Sequence, residues 1–344
     1  MLKNVLTGLV VATCAVAVLQ SQVARQGGGR GNGRGQAEQF PTTQQLAASK
    51  EAQQHITAAM KIARNDLVEE AKAFCTPTGP QRPALVRQAA GLPPEPDRLL
   101  DPIRIFDNLY YFGFSDVGAW AIPTSEGIIL FDALNSGDEA RDVLVAGLKK
   151  VGLDPAQIKY VIIGHGHNDH TGGGLYLQNT HSPRILMGSP DWDTVVASQR
   201  PDRAAMKRDM NVTDGQKLTL GDTTVTFGLT PGHTPGTIAM LVPVKHRGRS
   251  HTALILIGTQ MPTRQSLAAF EHVFNYAKKQ NAETALSSHP DILINKLPLM
   301  ETIGRQYPSG PHPFLVGPER FSRYMDIVLE CGRARLAALE SPAS

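Results

Sequence analysis

The six residues His165-Gly166-His167-Asn168-Asp169-His170 follow the apolar run Tyr160-Val161-Ile162-Ile163. Three imidazoles and a carboxylate in so short a stretch dictate what lies around them. A buried strand must end in a loop there, because alternate positions of an extended segment share a face and can aim into one pocket. Imidazole with carboxylate is the ligand set that zinc favours. His165 and His167 alternate by two and are expected to face one metal, while Asp169 and His170, after a turn, are expected to face a second. Two later strand ends each offer one more imidazole, His233 within Pro231-Gly232-His233-Thr234-Pro235-Gly236 and His289 within Ser287-Ser288-His289-Pro290. The six side chains suffice for a dinuclear centre.

The rest of the chain is arranged to build such a centre inside a globular domain. Four short strands, Ile103–Phe106, Leu109–Phe112, Ala119–Thr124 and Ile128–Phe131, are separated by turn signals and read as an antiparallel meander. A helix at about 138–151, the strand at Tyr160–Ile163, a helix opening near Gly173, the strand Arg184–Met187 and a short helix at 190–198 come next. A second set of strands is expected at 216–220, 224–229, 237–242, 253–257 and 283–286, with helices at 265–279 and 318–340. Strands, then helices, then strands, then helices imply an α/β protein of two packed sheets with helices outside. Gly172, Gly173 and Gly174 permit a close turn after the histidine loop.

The N-terminal hundred residues have a different character. Met1-Leu2-Lys3 followed by the apolar run 5–19 has the size of a signal peptide, with cleavage expected between Ser21 and Arg25, so that residues 1–24 are removed. Residues 25–43 read as a Gly/Arg-rich flexible linker, 44–76 as one N-terminal helix, 77–102 as a proline-rich connection, and 103–344 as the catalytic domain. The 34 basic residues against 31 acidic ones leave a formal charge of +3, too even to argue for nucleic acid or a membrane surface. A small-molecule substrate is the expected partner, with no stable membrane association once the signal is cleaved and a periplasmic or secreted location. Cys14 leaves with the signal. Cys75 and Cys331 then form an even pair in an oxidising compartment, which suggests a disulfide tying the first helix to the last, with two buried free thiols as the other reading.

The motif His165-x-His167-x-Asp169-His170, with Gly232-His233-Thr234-Pro235-Gly236 and a late Ser-His-Pro, resembles the metallo-β-lactamase superfamily, most closely subclass B3 and its exported relatives. The resemblance spans roughly Ile103 to the C-terminus and implies an αββα sandwich, here with an extra N-terminal helix. It also implies two Zn²⁺ per chain, one held by His165, His167 and His233, the other by Asp169, His170 and His289. A zinc-bound water ionises near neutral pH and supplies a hydroxide nucleophile. Asp169 is the residue expected to orient it, and no Ser or Cys nucleophile is required.

Lactonases and glyoxalase II of this superfamily carry a metal-bridging Asp after a strand that corresponds to Ala253–Ile257. The sequence here is Gly258-Thr259-Gln260-Met261-Pro262, without a carboxylate. This points to opening of a β-lactam amide, with ester, lactone or thioester hydrolysis, or zinc binding without turnover, as rival readings. Thr259 is expected to bond a metal-held water or a substrate carboxylate, unless it is a plain turn residue. Gln260 falls in the expected substrate loop, and Phe114 and Trp120 are expected as apolar walls of the site, although core packing is the stronger reading of Trp120. His55, His181, His246, His251, His272 and His312 lack ligand spacing and are expected at the surface.

Overall fold

The computed structural model describes residues 40–80, 98–198, 206–290 and 296–341. The expected signal peptide, nearly all of the linker and most of the proline-rich connection lie outside the described residues.

Two sheets face one another. The first runs in chain order: β1 (Leu99–Phe106), β2 (Leu109–Phe114), β3 (Gly118–Thr124), β4 (Gly127–Phe131), β5 (Ile158–Ile162), β6 (Arg184–Gly188) and β7 (Met210–Val212). The meander β1–β4 is antiparallel, as expected, and β4 through β7 are parallel. Parallel neighbours need crossover connections. Helical segments provide them at Gly137–Lys150, Gly174–His181 and Ser189–Ala197. The second sheet comprises β8 (Lys217–Leu220), β9 (Thr223–Leu229), β10 (Ile238–His246), β11 (Arg249–Leu256) and β12 (Thr284–Ser287), in the order β12-β11-β10-β9-β8.

Alternation along the strands creates the layers. Ile129 and Phe131 of β4, Ile162 of β5, and Ile238, Met240 and Val242 of β10 fill the space between the sheets. Their neighbours Ile128, Leu130 and Val161 face the crossover helices. On the other side Ala239 and Leu241 face the helices Arg264–Lys279 and Pro318–Glu340. With a period of two, both faces of each central strand are apolar, which only a four-layer αββα arrangement can bury.

Several local expectations need correction. The N-terminal helix is three pieces, Thr43–Ala48, Lys50–Ala63 and Val68–Phe74. Ser49 restarts the helix by accepting the Ala52 N–H at its Oγ (3.2 Å), and Arg64 ends the second piece at φ +51°. Strand β1 begins at Leu99, inside the segment expected as a connection. Strands β10 and β11 run on into a hairpin through Arg247 and Gly248, both at positive φ as tight hairpin turns require. Pro243 hides this continuation in the sequence. The helix Lys296–Arg305 was not anticipated because of Pro298, which sits in its first turn, where a missing N–H costs nothing.

Cys75 and Cys331 are joined in a disulfide, so the end of the third N-terminal piece is tied to the C-terminal helix. Phe74 and Ala71 share a core there with Phe321, Met325 and Val328. Among the described residues, no helix is long and apolar enough to cross a membrane.

Candidate metal centre

Three segments converge. The loop after β5 carries His165, His167, Asp169 and His170, the turn between β9 and β10 carries His233, and the end of β12 delivers His289. The first segment is held by its own turn. His167 precedes the short helix Asn168–Thr171, its carbonyl accepts the Thr171 hydroxyl at 3.0 Å, and the Asn168 amide donates to the Asn135 carbonyl at 2.8 Å. Gly172 lies so close to that carbonyl that a Cβ would stand 1.9 Å from its oxygen.

The convergence makes two groups of ligand atoms. Those of His165, His167 and His233 lie within 4.8 Å of one another, with His165 Nε2 3.0 Å from His167 Nδ1. In the second group His170 Nε2 is 3.0 Å from His289 Nε2, and Asp169 Oδ2 is 3.6 and 3.5 Å from those two nitrogens. His165 also lies within 4.8 Å of Asp169 and His170, so the groups adjoin. Donor atoms 2.0–2.1 Å from a tetrahedral ion stand roughly 3.3 Å apart, and the distances given above run from 3.0 to 3.6 Å.

Outer partners fix which nitrogen points inward. His289 Nδ1–H donates to the Asp116 carbonyl at 2.7 Å, and His170 Nδ1 stands 2.9 Å from Asp132 Oδ2. His289 Nδ1 is thus bonded and His170 Nδ1 faces a carboxylate, and the two Nε2 atoms meet across 3.0 Å. Two imidazole nitrogens that close share either a proton or a metal ion, and with the Asp169 carboxylate beside both the donor set fits a metal. Burial, and then the imidazoles of His170, His233, His167 and His289, hold His165 well below the usual imidazole range, in the neutral form that binds metal.

Two buried carboxylates escaped the sequence reading. Asp132, at the end of β4, adopts φ +68° and is fully buried. Its Oδ1 accepts the Gly164 N–H at 2.8 Å, and its Oδ2 accepts the Ser288 hydroxyl at 2.5 Å while facing His170. Asp191, in the helix Ser189–Ala197, bridges two histidine-bearing loops. Its Oδ2 accepts the Gly166 N–H and the Thr234 hydroxyl, both at 2.6 Å, and its Oδ1 accepts the Gly236 N–H at 2.9 Å. A Cβ on Gly236 would meet the Asp191 carboxylate carbon at 2.6 Å, so only glycine admits this approach. A carboxylate ending an apolar strand, Phe131-Asp132, was the one signal that could have revealed the first.

A family model described as the Metallo-beta-lactamase superfamily matches residues 113–244, a span that holds every one of these ligand positions except His289. Residues 113–244 thus form a domain of metallo-β-lactamase type. The chain's αββα sandwich is the fold that the sequence resemblance implied. BJP-1, a subclass B3 metallo-β-lactamase of Bradyrhizobium japonicum, superposes with a TM-score of 0.55 at 26% identity, covering 66% of this chain and 90% of that one. The N-acyl homoserine lactonase AttM of Rhizobium radiobacter is 30% identical over 43% of this chain and 64% of its own length. An atrochrysone carboxyl ACP thioesterase of Passalora fulva is 26% identical over 62% of this chain and 60% of its own length. The chain therefore spans less than two thirds of these two curated relatives.

Within this metallo-β-lactamase-type site, some expected contacts are elsewhere. Trp120 is fully buried between the sheets, edge-on to Tyr111 at 5.1 Å, and presents no surface to a substrate. Thr259 lines a cavity with Thr78, Pro80 and Arg335, a cavity that none of the six ligand residues lines. Gln260 lines the same cavity, yet its backbone carbonyl and side chain back onto Gly232 and Gly258 beside His233. Phe114 is half-buried at the end of β2, before the turn whose Asp116 orients His289. His246 and His312 are buried, not surface, residues: His246 Nε2–H donates to the Gly310 carbonyl at 2.9 Å, and His312 stacks on Phe106 at 4.2 Å.

Proposed function

We propose that the chain is an exported hydrolase that depends on two zinc ions and opens the amide of a β-lactam. The observation that carries the metal part is the meeting of the His170 and His289 Nε2 atoms at 3.0 Å beside the Asp169 carboxylate, next to the cluster of His165, His167 and His233. His165, His167 and His233 would hold one ion, and Asp169, His170 and His289 the other. Zinc in such a site supplies Lewis acidity toward a carbonyl oxygen and activates water at neutral pH.

The chain's own residues do the rest. Asp132 and Asp116 keep His170 and His289 aimed at one point, and Asp191 keeps the His165 and His233 loops in register. Asp169 is the one carboxylate among the six ligand residues and is a quarter exposed, which suits it to orient an attacking water. Phe114, beside the Asp116 turn, is the apolar wall we assign to the substrate. Export is supported by the Cys75–Cys331 disulfide, since such bonds persist in oxidising compartments.

The likeness to BJP-1 and the lack of a carboxylate in Gly258–Pro262 favour the amide. The second reading, lactone hydrolysis, is favoured by the sequence relatives named as N-acyl homoserine lactonases. The test is hydrolysis of nitrocefin, imipenem and an N-acyl homoserine lactone by zinc-loaded protein, with and without chelator. Chelator-sensitive β-lactam turnover is expected. Turnover of the lactone alone would overturn the substrate and keep the hydrolase; turnover of none of the three would overturn both.

A further inference from the structure

Arg335 is a cation placed where proteins rarely leave one. It stands on the C-terminal helix four residues after Cys331, whose disulfide to Cys75 pins this stretch to the N-terminal helices. Only 7% of its surface is exposed. Its Nη1 donates to the Phe74 carbonyl at 2.6 Å, and among the described residues no carboxylate pairs with it. A guanidinium has five N–H donors, and a buried cation without an opposite charge is costly.

Arg335 lines a cavity. Thr78, Pro80, Thr259, Gln260 and Met261 line it with Arg335. It has about 20 Å³ of room for the centre of a water-sized body, enough for one such occupant. The Thr259 hydroxyl makes no hydrogen bond among the described residues, so a second donor is available beside the guanidinium. We propose that this cavity binds one small monovalent anion, a halide or a carboxylate no larger than acetate, between the Arg335 guanidinium and the Thr259 hydroxyl.

Burial, with no neighbouring charge acting on it, lowers Arg335 to about 10, so the side chain still carries its charge at neutral pH. The wall of the cavity is shared with the histidine cluster. A Cβ on Gly232 would meet the Gln260 carbonyl at 2.0 Å, and one on Gly258 would meet Gln260 Oε1 at 2.3 Å and His233 Cβ at 3.3 Å. An anion at Arg335 thus braces the 259–262 loop, whose Gln260 packs beside His233. The site needs no metal and does not rest on the hydrolase reading.

The test compares thermal unfolding of the full chain in chloride, acetate and gluconate at one ionic strength, with chloride NMR line broadening as a second readout. The midpoint is expected to rise with chloride and then saturate, as binding to the folded state requires, while gluconate, too large for the cavity, has no effect. A response to acetate but not to chloride would assign the site to carboxylates. Arg335→Met is expected to lose both the midpoint response and the chloride broadening, and Thr259→Val to weaken both. Equal midpoints in all three salts, or a chloride response that persists in Arg335→Met, would overturn the proposal. The wild-type comparison decides the matter even if Arg335→Met does not fold.

Discussion

Asp191 offers the most exacting test of how the site is held. Its carboxylate accepts two backbone N–H groups, from Gly166 and Gly236, and the Thr234 hydroxyl, while being only 2% exposed. Hydrogen bonds to a charged group contribute about 1.5–3 kcal/mol each, and a buried donor left without an acceptor costs about 1–3 kcal/mol. In Asp191→Ala both N–H groups lose their acceptor, whereas the Thr234 hydroxyl retains Thr237 at 2.8 Å. The expected cost is about 3–5 kcal/mol, below the simple sum because the three bonds share one carboxylate. Asp191→Asn keeps one acceptor oxygen and should cost about 1–3 kcal/mol. Because Gly166 lies between His165 and His167 and Gly236 lies near His233, zinc affinity should also fall, by about 10–100-fold. Urea unfolding of metal-free protein gives the first quantity, and competition with a chromophoric chelator gives the second. An alanine variant within about 0.5 kcal/mol of the parent and with unchanged zinc affinity would show that Asp191 does not hold the loops.

Other outcomes can be stated. His289→Ala should bind one zinc where the parent binds two, measured by metal analysis after desalting, since it removes a ligand from the second group alone. Reducing Cys75–Cys331, which closes a separation of 256 residues, should lower stability by about 2–5 kcal/mol in denaturant titrations. His312 gives a pH dependence. Its Nε2–H donates to the Ile105 carbonyl at 2.6 Å and its Nδ1 accepts the Phe314 N–H at 3.2 Å, so a second proton has no place to go. Burial lowers it to about 4, against the Ile105 bond, which raises it, and with His246 adding to the fall. A depressed folded value means that the unfolded chain binds the extra proton more readily. The stability is therefore complete above about pH 6.5 and is lost as pH falls toward 4, by up to about 3 kcal/mol. His312→Phe should flatten this part of the stability profile in unfolding measured from pH 7 to pH 4; an unchanged slope would contradict the argument.

What the sequence revealed, and what it concealed, follows the range of the forces involved. His165, His167, Asp169 and His170 stand within one turn, so their common purpose is local and visible. The meander is legible because turn residues punctuate its alternation. Asp191 acts on backbone amides 25 and 45 residues away and Asp132 on one 32 residues away, and nothing beside them in the chain marks that task. Trp120 and Tyr111 stand among apolar neighbours on both sides, so the sequence does not say which face they take, and only the second sheet makes them interior. Thr259 follows a strand end as a substrate residue would, but the helices beyond it place its cavity on the Arg335 side. The break at Arg64 has neither glycine nor proline to announce it. His246 and His312 became interior only when the 306–314 segment folded back on the β10–β11 hairpin.

The origin of the six ligand residues has a further consequence. Four follow β5 in one sheet, whereas His233 and His289 belong to the other, and each trio takes two residues from the first and one from the second. Metal affinity is then a gauge of how the two layers sit on each other. Phe131 and Phe227, large residues between the sheets, should tune it when trimmed, although neither is a ligand. A slip of one residue along a strand, about 3.3 Å, would undo both trios at once. The metals would act as rivets through the sandwich, and the interior would set the strength with which they are held.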